Sequence, residues 1–285
     1  MELVHFPGCQ LMPDPRSPII AGGKKVRNFG NYPFMAAIIR KNREKIFCGG
    51  MLISSKFILT AGYCVEDKNQ VKKKKCHSSS APKKCYVSPN SIRIGLLTNP
   101  ENDALVKKKV RHIIPHPSYH SREVTDDLAL IELEHPVRCQ LVPRPICLPT
   151  KNLSKIGTEL IIAGYGYGDR NKVMGKQVLK EGFVVQVDAS KCSLPKAENR
   201  RIVCAGGMAT NQSSCQGDSG TGIIRLYKMN FYALGVTSIK RNGLTISNPR
   251  SLIKSGNYPI CFQDKRKNFK FARIYLHIHK NSAFI

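Results

Sequence analysis

Seven short runs of β-branched, aromatic and aliphatic residues, none longer than six, set the first limit on this chain. They are FMAAII (34–39), KFILT (56–60), SIRIG (91–95), LALIEL (128–133), LIIAG (160–164), GFVVQV (182–187) and FYALGV (231–236). Clusters of glycine, proline and polar residues separate them. Such residues fit a pleated, half-buried surface, and many short strands divided by turn signals predict an all-β barrel or sandwich. Long 3.6-period patterns are missing from most of the chain. The best helix candidate is 272–284, with Ile274 and Ile278 roughly on one face. Two segments read as exposed insertions: the lysine-rich 67–89, and 241–260, rich in Asn, Ser, Gly and Pro.

A chain of 285 residues holds one large domain or two small ones and buries a sizeable core. No run reaches the roughly 18 apolar residues needed to span a membrane. Eleven cysteines favour an oxidising compartment, because disulfides persist there. The N-x-S sequons at Asn152 and Asn211 are compatible with secretion. The start, MELVHFPGCQ, lacks a basic region followed by an apolar stretch, so no signal peptide is visible. No C-x-x-C pair occurs and no cysteine–histidine spacing fits zinc; no metal or cofactor is expected. The net charge of +27 is concentrated at lysines 72–75, 83–84 and 107–109 with Arg111. Such clusters either solvate a loop or form a docking face for polyanions such as heparin-like glycans or microbial surfaces. No nucleic-acid motif accompanies the charge, so nucleic acid ranks last as a partner.

The strongest local signal is C-Q-G-D-S-G at 215–220. A serine flanked by glycines sits in a tight turn where its hydroxyl stands clear. Successive backbone N–H groups there can converge into an oxyanion hole, among the largest catalytic terms in acyl transfer. Other motifs stand in order before it: C-G-G-M-L-I-S at 48–54, F-I-L-T-A-G-Y-C at 57–64, D-L-A-L-I at 127–131, P-I-C-L-P at 145–149 and A-G-Y-G at 163–166.

Together, in this order, these resemble the chymotrypsin/trypsin family of serine endopeptidases over roughly residues 20–285. The resemblance implies two packed antiparallel six-stranded β-barrels, an active site between them and a C-terminal helix. It makes 20–285 the protease-like domain and 1–19 a propeptide-like segment tethered by Cys9. Ser219 falls on the family's nucleophile and Asp127 on its buried aspartate. Gly217 and Ser219 would supply the oxyanion-hole N–H groups. The general base belongs just before the cysteine of L-T-A-A-H-C, and Tyr63 stands there.

That substitution decides the functional expectation. Imidazole takes the serine proton during attack and returns it to the leaving amine, which its pKa near 6.5 permits, whereas a phenol titrates near 10. In subtilisin, losing the triad histidine costs about 2 × 10⁶ in turnover, or roughly 8–9 kcal/mol of barrier. His77, His112 and His116 are the nearby histidines that could stand in, but none lies at the motif position.

Other departures point the same way. The family is switched on by cleavage after a basic residue just before I-V-G-G. The new ammonium then pairs with the aspartate beside the serine. Here Ile20-Ala21-Gly22-Gly23 matches, but Ile19 precedes it. A cut at Arg16 would leave a tail of four residues, 17–20, through the matching isoleucine. The Ile20–Asp218 pair is therefore expected to stay zymogen-like. The family's G-D-S-G-G-P becomes Gly217-Asp218-Ser219-Gly220-Thr221-Gly222, and its S-W-G becomes Ser238-Ile239-Lys240. A lysine there would partly fill or charge the mouth of the specificity pocket. Ser213 falls at the pocket floor and implies a chymotrypsin-type preference for apolar rings.

By resemblance Cys48 pairs with Cys64, Cys192 with Cys204, and Cys215 with Cys261. Cys9 would pair with Cys147, and Cys76 and Cys85 could close the lysine-rich loop; Cys139 is left over. The resulting expectation is a secreted, catalytically inactive protease homologue acting as a binding or regulatory protein in an extracellular proteolytic cascade, on anionic surfaces, or both. The rivals are an active chymotrypsin-like endopeptidase using Ser219 and an inert module of a longer protein.

Overall fold

The computed structural model of the chain describes residues 24–26, 29–78, 80–99, 103–123, 125–138, 142–166, 178–192, 202–206, 218–240 and 243–247. These form two seven-stranded antiparallel sheets. After β1 (Lys24–Lys25), which belongs to the second sheet, the chain builds the first from β2 (Met35–Arg40), β3 (Lys45–Leu52), β4 (Phe57–Thr60), β5 (Ile92–Leu97), β6 (Leu105–Lys108), β7 (Val110–Pro115) and β8 (Ala129–Leu133). Their spatial order is β6-β5-β2-β3-β4-β8-β7. The outermost strands, β6 and β7, are consecutive in the chain and separated only by Lys109, so the sheet curls until one residue bridges its two edges.

The second sheet adds β9 (Glu159–Gly164), β10 (Lys180–Gln186), β11 (Ala205–Gly206), β12 (Gly222–Tyr227), β13 (Asn230–Lys240) and β14 (Gly243–Ser247). Its order is β1-β10-β9-β12-β13-β14, with β11 also on β10. The fold is the all-β pair of curled antiparallel sheets that the sequence implies, with a different strand count. Each sheet holds seven strands rather than six. In the first, Lys109 divides one run into β6 and β7; in the second, the two-residue β1 is added. Within 241–260, residues 243–247 pair with β13 from Val236↔Ser247 to Lys240↔Gly243. The helix candidate 272–284 lies outside the described residues.

Burial explains the two kinds of strand. In β2 every residue from Met35 to Ile39 is buried, because β3 and β5 flank it and both of its faces are covered. A strand covered on both faces reads as a continuous apolar run. β10 alternates instead, with Gly182, Val184 and Gln186 buried between half-buried neighbours, as expected of a strand with one solvated face.

A main core spans both sheets, joining Phe34, Met51, Leu59 and Ile94 of the first to Ala163, Tyr165, Ile224 and Val236 of the second. A smaller core under the second sheet holds Leu153, Leu160, Ile162, Val184, Val203 and Ile223. Across the junction Phe231 meets Tyr32 and Phe34 at ring-centroid distances of 5.9 and 5.8 Å, within the 4.5–7 Å preferred by tilted and edge-to-face pairs.

The lysine-rich insertion folds onto the first sheet as two 3-10 turns, Lys74–Cys76 and Lys83–Cys85, joined by the Cys76–Cys85 disulfide. Its base is pinned by backbone bonds from Val87 N–H to the Val65 carbonyl (2.8 Å) and from Asp67 N–H to the Cys85 carbonyl (2.9 Å). Lysines 72–75, 83 and 84 all project into solvent.

Candidate active site

The two sheets meet at a turn carrying Ser219. Its backbone is locked from both sides: Gly49 N–H donates to the Ser219 carbonyl (2.8 Å), and Gly220 N–H donates to the Thr237 carbonyl (2.7 Å). Gly220 has φ +83°, and a Cβ there would lie 2.2 Å from Thr60 Oγ1 and 2.4 Å from the Gly49 carbonyl. Only glycine meets both demands. The hydroxyls of Thr221 and Thr237 each donate to the Asp218 carbonyl at 2.6 Å. Thr221, a departure from the family motif, therefore braces the serine turn. Ser219 is buried, and its Oγ has no hydrogen-bond partner among the described residues.

Asp127 precedes β8 and is fully buried. The chain turns into it through Asp126 at φ 47°, a left-handed conformation that aspartate tolerates better than most residues. Oδ1 accepts the Tyr63 backbone N–H at 2.7 Å, and Oδ2 accepts the Ser238 hydroxyl. Burial pushes the Asp127 carboxyl up to about 6, against the stabilising bonds from Ser238, Tyr63 and Gly62. Ser238 belongs to β13, so this bond crosses from one sheet to the other.

Tyr63 sits in the 3-10 turn Gly62–Val65, fixed by the Cys48–Cys64 disulfide. Its side chain is 37 % exposed. Burial raises its phenol above the ordinary value, and the nearby Glu66 and Asp127 carboxylates raise it further, while Arg40 lowers it. At neutral pH it keeps its proton. Three residues on, Glu66 accepts the Tyr119 hydroxyl at 2.7 Å. Burial lifts the Glu66 carboxyl to about 7; the Tyr119 bond opposes this and the Asp127 charge adds to it.

Asp218 is buried beside Gly164 and Gly166, and its Oδ1 accepts the Gly166 N–H at 2.9 Å. Lys180 pairs with Gly164 across β9 and β10. Burial lowers its ammonium pKa, and attraction to Asp218 counters this.

The structure thus brings Tyr63, Asp127, Ser219 and Ser238 to one junction, with Asp218 behind the serine. Gly217, Ser213, Ile20, Cys9, Cys215 and Cys261 lie outside the described residues. For Lys240 and Cys192 only the backbone is described. Cys204 is disulfide-bonded, and Cys147 is buried.

The other histidines are engaged locally. His77 Nε2 meets the Val71 carbonyl at 2.8 Å, His112 Nδ1 pairs with Glu132 at 2.7 Å, and His116 Nδ1 accepts the Ser118 N–H at 3.2 Å. Sequence reasoning missed Glu66, Tyr119, Arg40 and Thr237. Glu66 carried a usable signal as the acid just after Tyr63-Cys64; the other three approach the site only through tertiary folding.

The trypsin family pattern matches residues 20–258. Phenoloxidase-activating factor 3 of Holotrichia diomphalia is 30 % identical over 222 residues, covering 70 % of this chain and 58 % of that protein. Limulus clotting factor C of Carcinoscorpius rotundicauda is 28 % identical over 235 residues, covering 75 % of this chain and 22 % of that protein. Vitamin K-dependent protein C of Mus musculus is 25 % identical over 241 residues, covering 80 % of this chain and 47 % of that protein. The chain spans less than two thirds of the length of each of these relatives.

Proposed function

The chain belongs to the trypsin family, and from that premise we propose that it is a protease homologue without catalytic turnover, a secreted binding or regulatory protein of an extracellular proteolytic cascade. The observation that carries this reading is Tyr63. Its backbone N–H holds Asp127, where a working triad needs an imidazole to receive a proton from Ser219. Its phenol has its pKa raised by burial and by two carboxylates, so it is a poor proton acceptor at neutral pH. Ile19 ahead of the Ile20 motif adds a zymogen-like activation pocket to the same reading.

The cascade setting rests on the named relatives, which include clotting and phenoloxidase-activating factors. For partners we propose proteins of such a cascade and polyanions of the heparin-like class. The lysine-bearing turns Lys74–Cys76 and Lys83–Cys85, joined by a disulfide, support the polyanion part.

The second reading is an active endopeptidase with a chymotrypsin-like preference. It is favoured by the retained Ser219 turn and the Asp127–Ser238 bond. Hydrolysis of a chymotrypsin-type peptide substrate by the purified chain, with Ser219→Ala as the blank, separates the two. Activity equal to the blank is expected. Clear turnover above it would mean that another group serves as base, and the non-catalytic reading would fall.

A further inference from the structure

The three most exposed large apolar side chains among the described residues gather at one end of the second sheet. Met229 is 85 % exposed and Leu226 53 %, both on the β12–β13 hairpin; Ile156, in the turn leading into β9, is 61 % exposed. The strand register places them together. Ile223 and Ile224 pair with Ile162 and Ile161, so as β12 runs out to its hairpin, β9 runs back to the turn at 155–158. Lys151 ties the two segments directly, its ammonium 5.4 Å from the Tyr227 ring centroid.

Cations gather on the ring of Tyr227, the neighbour of Leu226 in β12. Arg225 and Lys228 lie 5.6 and 5.8 Å from the same ring, and Lys155 is exposed beside Ile156. Among the described residues the exposed acids on this end are Glu159 and Asp188, and Asp188 is engaged by the N–H and hydroxyl of Ser190.

The turn itself goes against its own backbone preference. Lys228 and Met229 have φ 47° and 62°, the left-handed pair that a two-residue hairpin turn fills most readily with Asn and Gly. A methionine there costs conformational energy and, at 85 % exposure, recovers almost no burial. A residue choice that the turn does not favour motivates a functional hypothesis. Met229 and Ile156 stand in turns and Leu226 near the outer end of β12, so the three lie along the rim of the sheet. An exposed apolar rim flanked by cations suits a surface that yields to it and carries negative charge. An anionic lipid leaflet has both properties.

We propose that this end of the second sheet docks on anionic membranes. Met229, Leu226 and Ile156 enter the headgroup–acyl boundary. Lys151, Lys155, Arg225 and Lys228 meet the lipid phosphates, and Tyr227 sits at the interface, where aromatic rings with a polar tip are favoured. The site is separate from the lysine-rich insertion, which belongs to the first sheet.

The chain has no tryptophan, so Met229→Trp supplies a single reporter. With phosphatidylcholine vesicles containing phosphatidylserine, its emission should shift to the blue and be quenched by brominated acyl chains; pure phosphatidylcholine should do neither. Lys228→Gln should weaken partitioning roughly fivefold, and Leu226→Ser should weaken it too. Replacing lysines 72–75 by serine should leave the blue shift intact. An indole that stays water-exposed on vesicles that sediment the protein would overturn the proposal. An equal blue shift with soluble polyglutamate would also overturn it, by making an acidic protein the occupant.

Discussion

The hydroxyl of Ser238, on β13 of the second sheet, donates to the carboxylate of Asp127, at the threshold of β8 in the first. That bond joins two elements 111 residues apart across the junction where Ser219 lies. It holds a buried carboxylate that receives no imidazole from Tyr63.

Asp127 makes stability depend on pH. Its folded pKa, about 6, lies above the ordinary 3.8. The folded state therefore binds the extra proton, and stability falls as pH rises from about 4 through 6. The full difference is about 3 kcal/mol by neutral pH. Asp127→Asn keeps an acceptor for Tyr63 N–H without the charge. Urea unfolding at pH 4.5 and 7.5 should show the loss in the native chain and a smaller one in the variant. Equal losses would place the effect elsewhere.

Glu66 works in the same direction at higher pH, since burial raises it from 4.5 to about 7. Glu66→Gln retains the Tyr119 bond without the charge. The variant should melt higher than the native chain at pH 8 and no higher at pH 5. A gain of the same size at both pH values would rule out titration as its cause.

Tyr63→His supplies a base beside Asp127. Labelling of Ser219 by a fluorophosphonate should accelerate about a hundredfold or more, the usual scale of general-base assistance, and vanish in Tyr63→His with Ser219→Ala. An unchanged rate would show that the missing base is not what silences the serine.

The lysine-bearing insertion should hold the chain on immobilised heparin, with retention falling steeply as salt rises. Serine at 72–75 should lower the eluting salt concentration. Retention that ignores salt would exclude polyanion binding through charge, and an unchanged elution for the variant would move the contact to another face.

Gly220→Ala puts a methyl into a left-handed position, costing about 1–2 kcal/mol from backbone conformation alone, and into collision with Thr60 and Gly49. Thermal unfolding should show at least that loss. A neutral substitution would mean that the serine turn is free to move.

All seven apolar runs seen in the sequence became strands: β2, β4, β5, β8, β9, β10 and β13. Strands without a clean apolar run were missed. β3 hides its pattern behind Cys48-Gly49-Gly50, whose glycines let Thr221 and Ile58 approach the backbone. β6 and β7 carry Lys107, Lys108, Arg111 and His112, because they lie at the sheet's edges with faces in solvent.

The sequence by itself determined the run of short strands, the order of the motifs and the residue types at 63, 127 and 219, because strand pattern and motif spacing are local properties. Only the tertiary structure decided which groups face them. The Ser238–Asp127 bond, the burial that lifts Asp127 and Glu66, and the placing of Ile156 and Met229 at one end of the second sheet all depend on how the sheets pair, curl and pack. Burial, dielectric and long-range register are set by neighbours far away in the chain, and no window of sequence contains them.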